Sequence, residues 1–461
     1  CLAGALLMTT AQPVFADDWA TPTAERLGVK LEKSLESEGK DAWDPNEHPV
    51  VFITSEGPGY GGLLSGVKLP GLVIYDADSR EVVASQNYDV LSWGWESVFE
   101  PHGLGVSPDG DWIYLPSGEG SFGTLGKGRL LIINAKTLKL DKVLALGANA
   151  HHIKAFTRPD GKKLVLVESF ADGAQPAFVL DPADDNRVVG GWTREDMGTV
   201  AVRKDANPAT VEQAEQMGVE SSYLNFVSPD GSEIWAGTGG HHMPPADSFA
   251  TQVASVTRID TMTWKPLGSI PVPDGNPVWV AFSADGKSAY VTGAITSRVF
   301  KIDRESNAIA GYTRAGVEGP YGGHLGWDDK ILYVIGKGES SHNRGKVMGM
   351  VDTSRMGLPG GQFPMNQIAT DCVRGDHGTL NPAPEANELW ITCNSSFEVV
   401  IVDLDLGEVV ERLPTPHGGS THSGAFVSYD GWNGTVVSDQ NGLQASALEQ
   451  KRKFLGLGKT N

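Results

Sequence analysis

The chain repeats itself, and that repetition constrains its fold more than any other feature. The unit is an apolar strand, a tight polar turn, a second strand, a loop, then a third strand ending in Asp or Asn. The turns are Ser107-Pro108-Asp109-Gly110, Arg158-Pro159-Asp160-Gly161, Ser228-Pro229-Asp230-Gly231, Ser283-Ala284-Asp285-Gly286 and Tyr429-Asp430-Gly431. Trp327-Asp328-Asp329-Lys330 and Pro384-Glu385-Ala386-Asn387 fill the same slot. Each supplies the Asp, Asn or Gly that a tight hairpin needs. Strands follow in DWIYLP, KKLVLVES, SEIWAGT, KSAYVTG, KILYVIG, NELWITC and GTVVSD, and third strands in segments such as RLLIINAKT, RVFKIDRES and EVVIVDLDL. The units recur about every 45–55 residues, near the period of a propeller blade.

Counting the turns predicts an all-β chain folded as a seven-bladed β-propeller. The last unit keeps only THSGAFVSY and GTVVSD. The N-terminal segments VVFITSE, GLVIYDAD and EVVASQNY supply what it lacks. N- and C-terminal strands then share one blade, and no open edge separates first blade from last. The longest departure from the repeat is roughly 194–220, where PATVEQAEQMG reads as a short helix on an inserted loop. Residues 17–461 are expected to form one domain.

The first 16 residues, ending in Val14-Phe15-Ala16 before two aspartates, read as the tail of a secretory signal. They are too few to span a membrane. The expected location is therefore the periplasm. Export permits a disulfide between Cys372 and Cys393, the cysteines left beyond that segment. A formal charge of −20 argues against a nucleic-acid partner, which needs a basic face. The plain reading of such acidity is solubility; it also suits a basic electron-transfer partner.

Lone histidines are usually surface or satisfied core residues. Five of the eleven here share a slot just before the innermost strand of a blade: His102, His152, His324, His377 and His422. Side chains so placed point at a common axis, at one rim of the channel. The two other blades carry Tyr223 with Asn225, and Asn276, which leaves one side open. Loops after the second strands lie on the same rim and offer His241, His242, Asp247, Glu119, Glu168 and His342. Lys68 lies in the loop GPGYGGLLSGVKLPG. Such loop residues are more often plain solvated surface. Imidazoles without thiolates suit copper, zinc or nickel, with affinity greatest at copper. Five exceed what one tetrahedral zinc takes and suggest a multinuclear centre.

A propeller with an inward His on most blades resembles the catalytic domain of nitrous oxide reductase. The doublet His151-His152 and the series His324, His377, His422 are similar in character. This chain carries no paired cysteines and Met of a second copper site after the propeller. It is more similar to the copper-dependent thiocyanate dehydrogenases. That resemblance implies three copper ions and oxidation of a small inorganic anion, thiocyanate, to cyanate and sulfur. It implies His102, His152, His324, His377 and His422 as ligands, joined by His242 and Asp247. Lys68 would bind the anion and Glu220 would be the acid–base group. Electrons would pass to an external acceptor such as cytochrome c, and a homodimer is compatible. Two other readings stay open: a nitrous-oxide-type copper enzyme, and a binding scaffold without catalysis.

Overall fold

The computed structural model describes residues 19–45, 48–58, 68–93, 102–118, 128–146, 150–169, 177–197, 222–238, 254–274, 277–338, 345–358 and 366–457. Seven antiparallel sheets form a ring, a seven-bladed β-propeller. Blade 2 is typical: Ala150–Thr157 lines the channel, followed outward by Lys163–Ser169, Ala177–Asp181 and Arg187–Trp192. Blades 3 to 6 repeat this order, with inner strands Ser222–Val227, Pro277–Phe282, Pro320–Leu325 and Gly375–Leu380. Blade 1 begins at Gly105–Val106 and gains a fifth, outermost strand, Lys30–Ser34.

Blade 7 closes the ring as the repeats require. Gly424–Asp430 pairs with Val50–Thr54, and Gly71–Asp76 and Val82–Asn87 follow outward. One expectation is corrected here. The segment GTVVSD is not the second strand of this blade. Asn433–Asp439 pairs on the channel side of Gly424–Asp430, because Val50–Thr54 already holds its outer edge. The chain then passes through Gly442–Leu443 into the helix Ala445–Phe454. Lys451 and Arg452 of that helix bond to the backbone oxygens of Ala386 and Trp327, beside the polar turns. The C-terminal segment thus packs into the turn end of the channel. The proposed helix within 194–220 lies outside the described residues, apart from the short turn Arg194–Met197.

The core follows from strand alternation: one face of each blade packs on its neighbour. Apolar clusters bridge the blade boundaries around the ring, anchored by Trp192, Trp235, Trp279 and Trp390, which are almost fully buried. Each such side chain removes a large apolar area from water. Outer strands such as Ala308–Arg314 and Glu408–Pro414 are half exposed, whereas inner strands such as Pro320–Leu325 and Gly375–Leu380 are buried throughout. Among the described residues, no helix is long and apolar enough to cross a membrane.

Cys372 and Cys393 form the expected disulfide. Cys393 pairs in the ladder with Gly375, so the bridge clamps the start of the blade 6 inner strand. Opening it is expected to cost about 2–4 kcal/mol. Denaturant unfolding of the oxidised protein and of a Cys372→Ala/Cys393→Ala variant measures this. Equal midpoints would mean that the blade holds its own rim.

Candidate metal centre

The inner strands do not enter the channel smoothly. In blade 2 the ladder runs from Ala150–Ser169 directly to Ile153–Val167, so His151 and His152 together face one residue, Glu168. In blade 6 it runs from Gly375–Cys393 to Gly378–Ile391, so Asp376 and His377 face Thr392. These are β-bulges, and a bulge re-aims side chains that a regular strand would send to opposite faces. Blades 3 and 5 carry the same irregularity at Tyr223-Leu224 and Tyr321-Gly322. In blades 2 and 6 the bulge therefore presents a pair of side chains at one rim.

The five expected histidines are brought together, but not at five equivalent positions. His152 and His377 occupy the second place of their bulges. His324 comes two residues further along its strand than that place. His102 and His422 precede the strands Gly105–Val106 and Gly424–Asp430. All five are buried, and so is His151. Their rings form a continuous run. His422 stacks on His102 at 4.0 Å between centroids, His102 lies 4.9 Å from His151, His151 stacks on His152 at 3.9 Å, and His152 meets His377 at 4.5 Å. His324 sits beside this run, its ring 5.2 Å from Trp279, which also lies 5.6 Å from His377. Gly103 permits the tight approach: a Cβ there would lie 2.3 Å from the His151 oxygen.

Two buried carboxylates complete the cluster. Glu168 Oε1 lies 3.1 Å from His152 Nδ1 and 3.5 Å from His151 Nδ1. Its Oε2 accepts from Lys154 Nζ at 3.0 Å and from the Asn225 N–H at 2.8 Å. Asp376 Oδ2 meets His422 Nδ1 in a short hydrogen bond, and Oδ1 lies 3.1 Å from Lys337 Nζ. The two sets, His151-His152-Glu168 and Asp376-His377-His422, each bring three ligand atoms within 4.8 Å of one another. Each also has its own buried lysine.

A metal needs free lone pairs, and the cluster has them. His377 Nδ1 faces the His422 carbonyl oxygen at 2.6 Å, which puts the proton on Nδ1 and the lone pair on Nε2. Nε2 of His377, Nε2 of His152 and both ring nitrogens of His324 have no hydrogen-bond partner among the described residues. Leaving such atoms buried and unpaired is costly. His422 is more engaged, because its Nε2 also faces the Asn394 amide at 2.6 Å. The residues fit a metal bound through nitrogen and oxygen; both cysteines beyond the N-terminal segment are in the disulfide and offer no thiolate.

Burial favours the neutral form of His152, His324 and His377, the form that ligates. Burial pushes His324 and His377 down to about 3. Burial, then the neighbouring rings and Lys154, holds His152 well below the usual histidine range. Burial raises the Glu168 carboxyl. Burial opposes ionisation of Asp376, but the Lys337 ammonium and the short bond to His422 outweigh it and hold that carboxyl well below the ordinary range.

A pH prediction follows from the histidines. The unfolded chain protonates them near 6.5, and the folded protein resists until about 3. Between these values the unfolded state binds more protons, so stability is full above pH 6.5 and falls as pH drops toward 3. Glu168, raised in the fold, partly offsets the fall. Each of His324 and His377 is expected to cost about 2 kcal/mol between pH 6.5 and 5. Denaturant unfolding of metal-free protein at both values, against His324→Gln/His377→Gln, measures it. A wild-type profile as flat as the variant's would contradict the burial of neutral rings.

Other expected site residues are not placed. His242, Asp247 and Glu220 lie outside the described residues, as do His241, Glu119, His342 and Asn276. The Lys68 backbone forms a two-stranded ribbon with Gly57–Pro58, and its side chain lies outside the description. Residues not expected as ligands, His151 and Asp376, sit at the centre, with Lys154 and Lys337 behind them. Their signal was the adjacent pair, His151-His152 and Asp376-His377, each at the start of an inner strand.

No protein-family model and no curated protein matches the chain. Solved structures do. The periplasmic gluconolactonase of Pseudomonas aeruginosa is 17% identical, covers 82% of this chain and 99% of its own, and superposes with a TM-score of 0.53. A protein from Lactobacillus plantarum is 14% identical over 82% of this chain and 99% of its own, with a TM-score of 0.52. A dihydro-heme d1 dehydrogenase, NirN, is 16% identical over 95% of this chain and 79% of its own, with a TM-score of 0.50. What these proteins share with this chain is the seven-bladed propeller fold.

Proposed function

We propose that this chain is a periplasmic copper oxidoreductase that oxidises thiocyanate to cyanate and sulfur. The observation that carries the reading is the pair of facing histidine–carboxylate sets with unpartnered ring nitrogens at one channel rim. Nitrogen and oxygen donors without thiolate favour copper among the divalent metals. His151, His152 and Glu168 would hold one ion and Asp376, His377 and His422 another, with His102 and His324 alongside. A third would draw on His242 and Asp247. Copper so held would supply Lewis acidity and take up electrons.

The conversion balances as thiocyanate plus one water giving cyanate, elemental sulfur, two protons and two electrons. Lys68 would hold the anion, which the chain's charge of −20 would otherwise repel. Glu220 would accept a proton. The same acidity favours a basic acceptor such as a cytochrome c. A disulfide supports an oxidising compartment.

Copper-loaded protein given thiocyanate and oxidised cytochrome c is expected to form cyanate and reduce two cytochromes for each cyanate. A fully loaded protein that reduces nitrous oxide and leaves thiocyanate intact would favour the reductase reading. Loaded protein inert to both would favour a scaffold.

A further inference from the structure

Both carboxylates assigned to copper above are already held by a cation. Lys154 and Lys337 are each 1% exposed, and each puts its ammonium 3.0–3.1 Å from the carboxylate a metal would take. A buried carboxylate without a counter-charge is unfavourable, so these pairs make the metal-free site viable. A metal entering the site must break them, and the freed ammonium then needs somewhere to go.

For Lys154 the destination is built. Asp439, at the end of the strand that runs inside blade 7, is 3% exposed; that strand packs against Ala150–Thr157, the strand that carries Lys154, and the Asp439 carboxylate attracts the Lys154 ammonium. Asp439 Oδ1 accepts from the Asn441 N–H at 2.8 Å, while Oδ2 has no hydrogen-bond partner. A buried, unpaired carboxylate oxygen beside a buried ammonium is an acceptor held in reserve. Lys337 has a second seat of another kind, the face of Tyr321, with Nζ 4.1 Å from the ring centroid.

We propose that Lys154 is a resident counter-cation that copper displaces from Glu168, and that Asp439 is the seat that receives it. This rests on the copper reading above. Lys154 and Asp439 are positioning residues: Lys154 competes with the metal for Glu168, and Asp439 lowers the cost of its leaving. The C-terminal strand that departs from the blade pattern is then what couples the channel interior to the metal site.

The test is copper affinity, measured by chelator competition at pH 7.5 in wild type, Lys154→Met, Asp439→Asn and the double variant. Lys154→Met is expected to bind copper roughly tenfold more tightly, and Asp439→Asn roughly tenfold more weakly. The double variant is expected to match Lys154→Met, because Asp439 acts only through the lysine. If Lys154→Met does not fold, Lys154→Gln keeps a donor to Glu168 without the charge and serves in its place. Affinities unchanged by either substitution would overturn the proposal while leaving the copper reading intact. So would an Asp439→Asn effect that persists without the lysine. Wild type that binds no copper would overturn both.

Discussion

Asp376→Ala is expected to destabilise the metal-free protein by about 3–5 kcal/mol, because it strips Lys337 of a buried counter-charge. The lysine is 1% exposed and cannot reach water without opening the rim. Loss of the Asp376–His422 bond adds to the cost. The measurement is denaturant unfolding, with Asp376→Ala/Lys337→Met as the partner variant. Removing both charges is expected to recover most of the loss, as replacing a whole buried pair often does. A single variant within about 1 kcal/mol of wild type would show that the Lys337–Asp376 pair is solvated and carries little of the site's electrostatics.

His377→Ala is expected to lower copper affinity by more than about a hundredfold and to remove thiocyanate oxidation. Losing an outer partner of a ligand alone costs about 10–100-fold in affinity, and His377 is assigned as a direct ligand. Its Nε2 is the lone pair most clearly prepared, since the His422 carbonyl fixes the tautomer. The fold should survive, because each blade's sheet is held by its own ladder. Circular dichroism checks that, and copper per protein checks the site. Full copper retention in a folded variant would remove His377 from the ligand set.

The ring was legible because it is written in local signals. Seven tight turns and the strands around them repeat at a blade's period, and each turn residue is there for its backbone angles. The closure by both termini was legible from the strand count. The inward path of Asn433–Asp439 was not, because it depends on which edge of Gly424–Asp430 is already taken. The same limit shaped the site. Histidines at the starts of inner strands marked the rim, but a bulge cannot be read from a single strand. His151 and Asp376 were therefore not expected as central, although they precede His152 and His377. Lys154 and Lys337 carry no motif at all. They matter because folding buries each against a carboxylate from another strand, 14 residues away for Glu168.

The most direct test of the central claim is the metal content and first shell of wild-type protein isolated with copper supplied. Elemental analysis with copper X-ray absorption gives both. Wild-type protein is expected to hold at least two coppers per chain, bound through nitrogen and oxygen with no sulfur neighbour, and released by His152→Ala and His377→Ala. Protein that takes up no copper, or copper that stays bound when both histidines are gone, would contradict it.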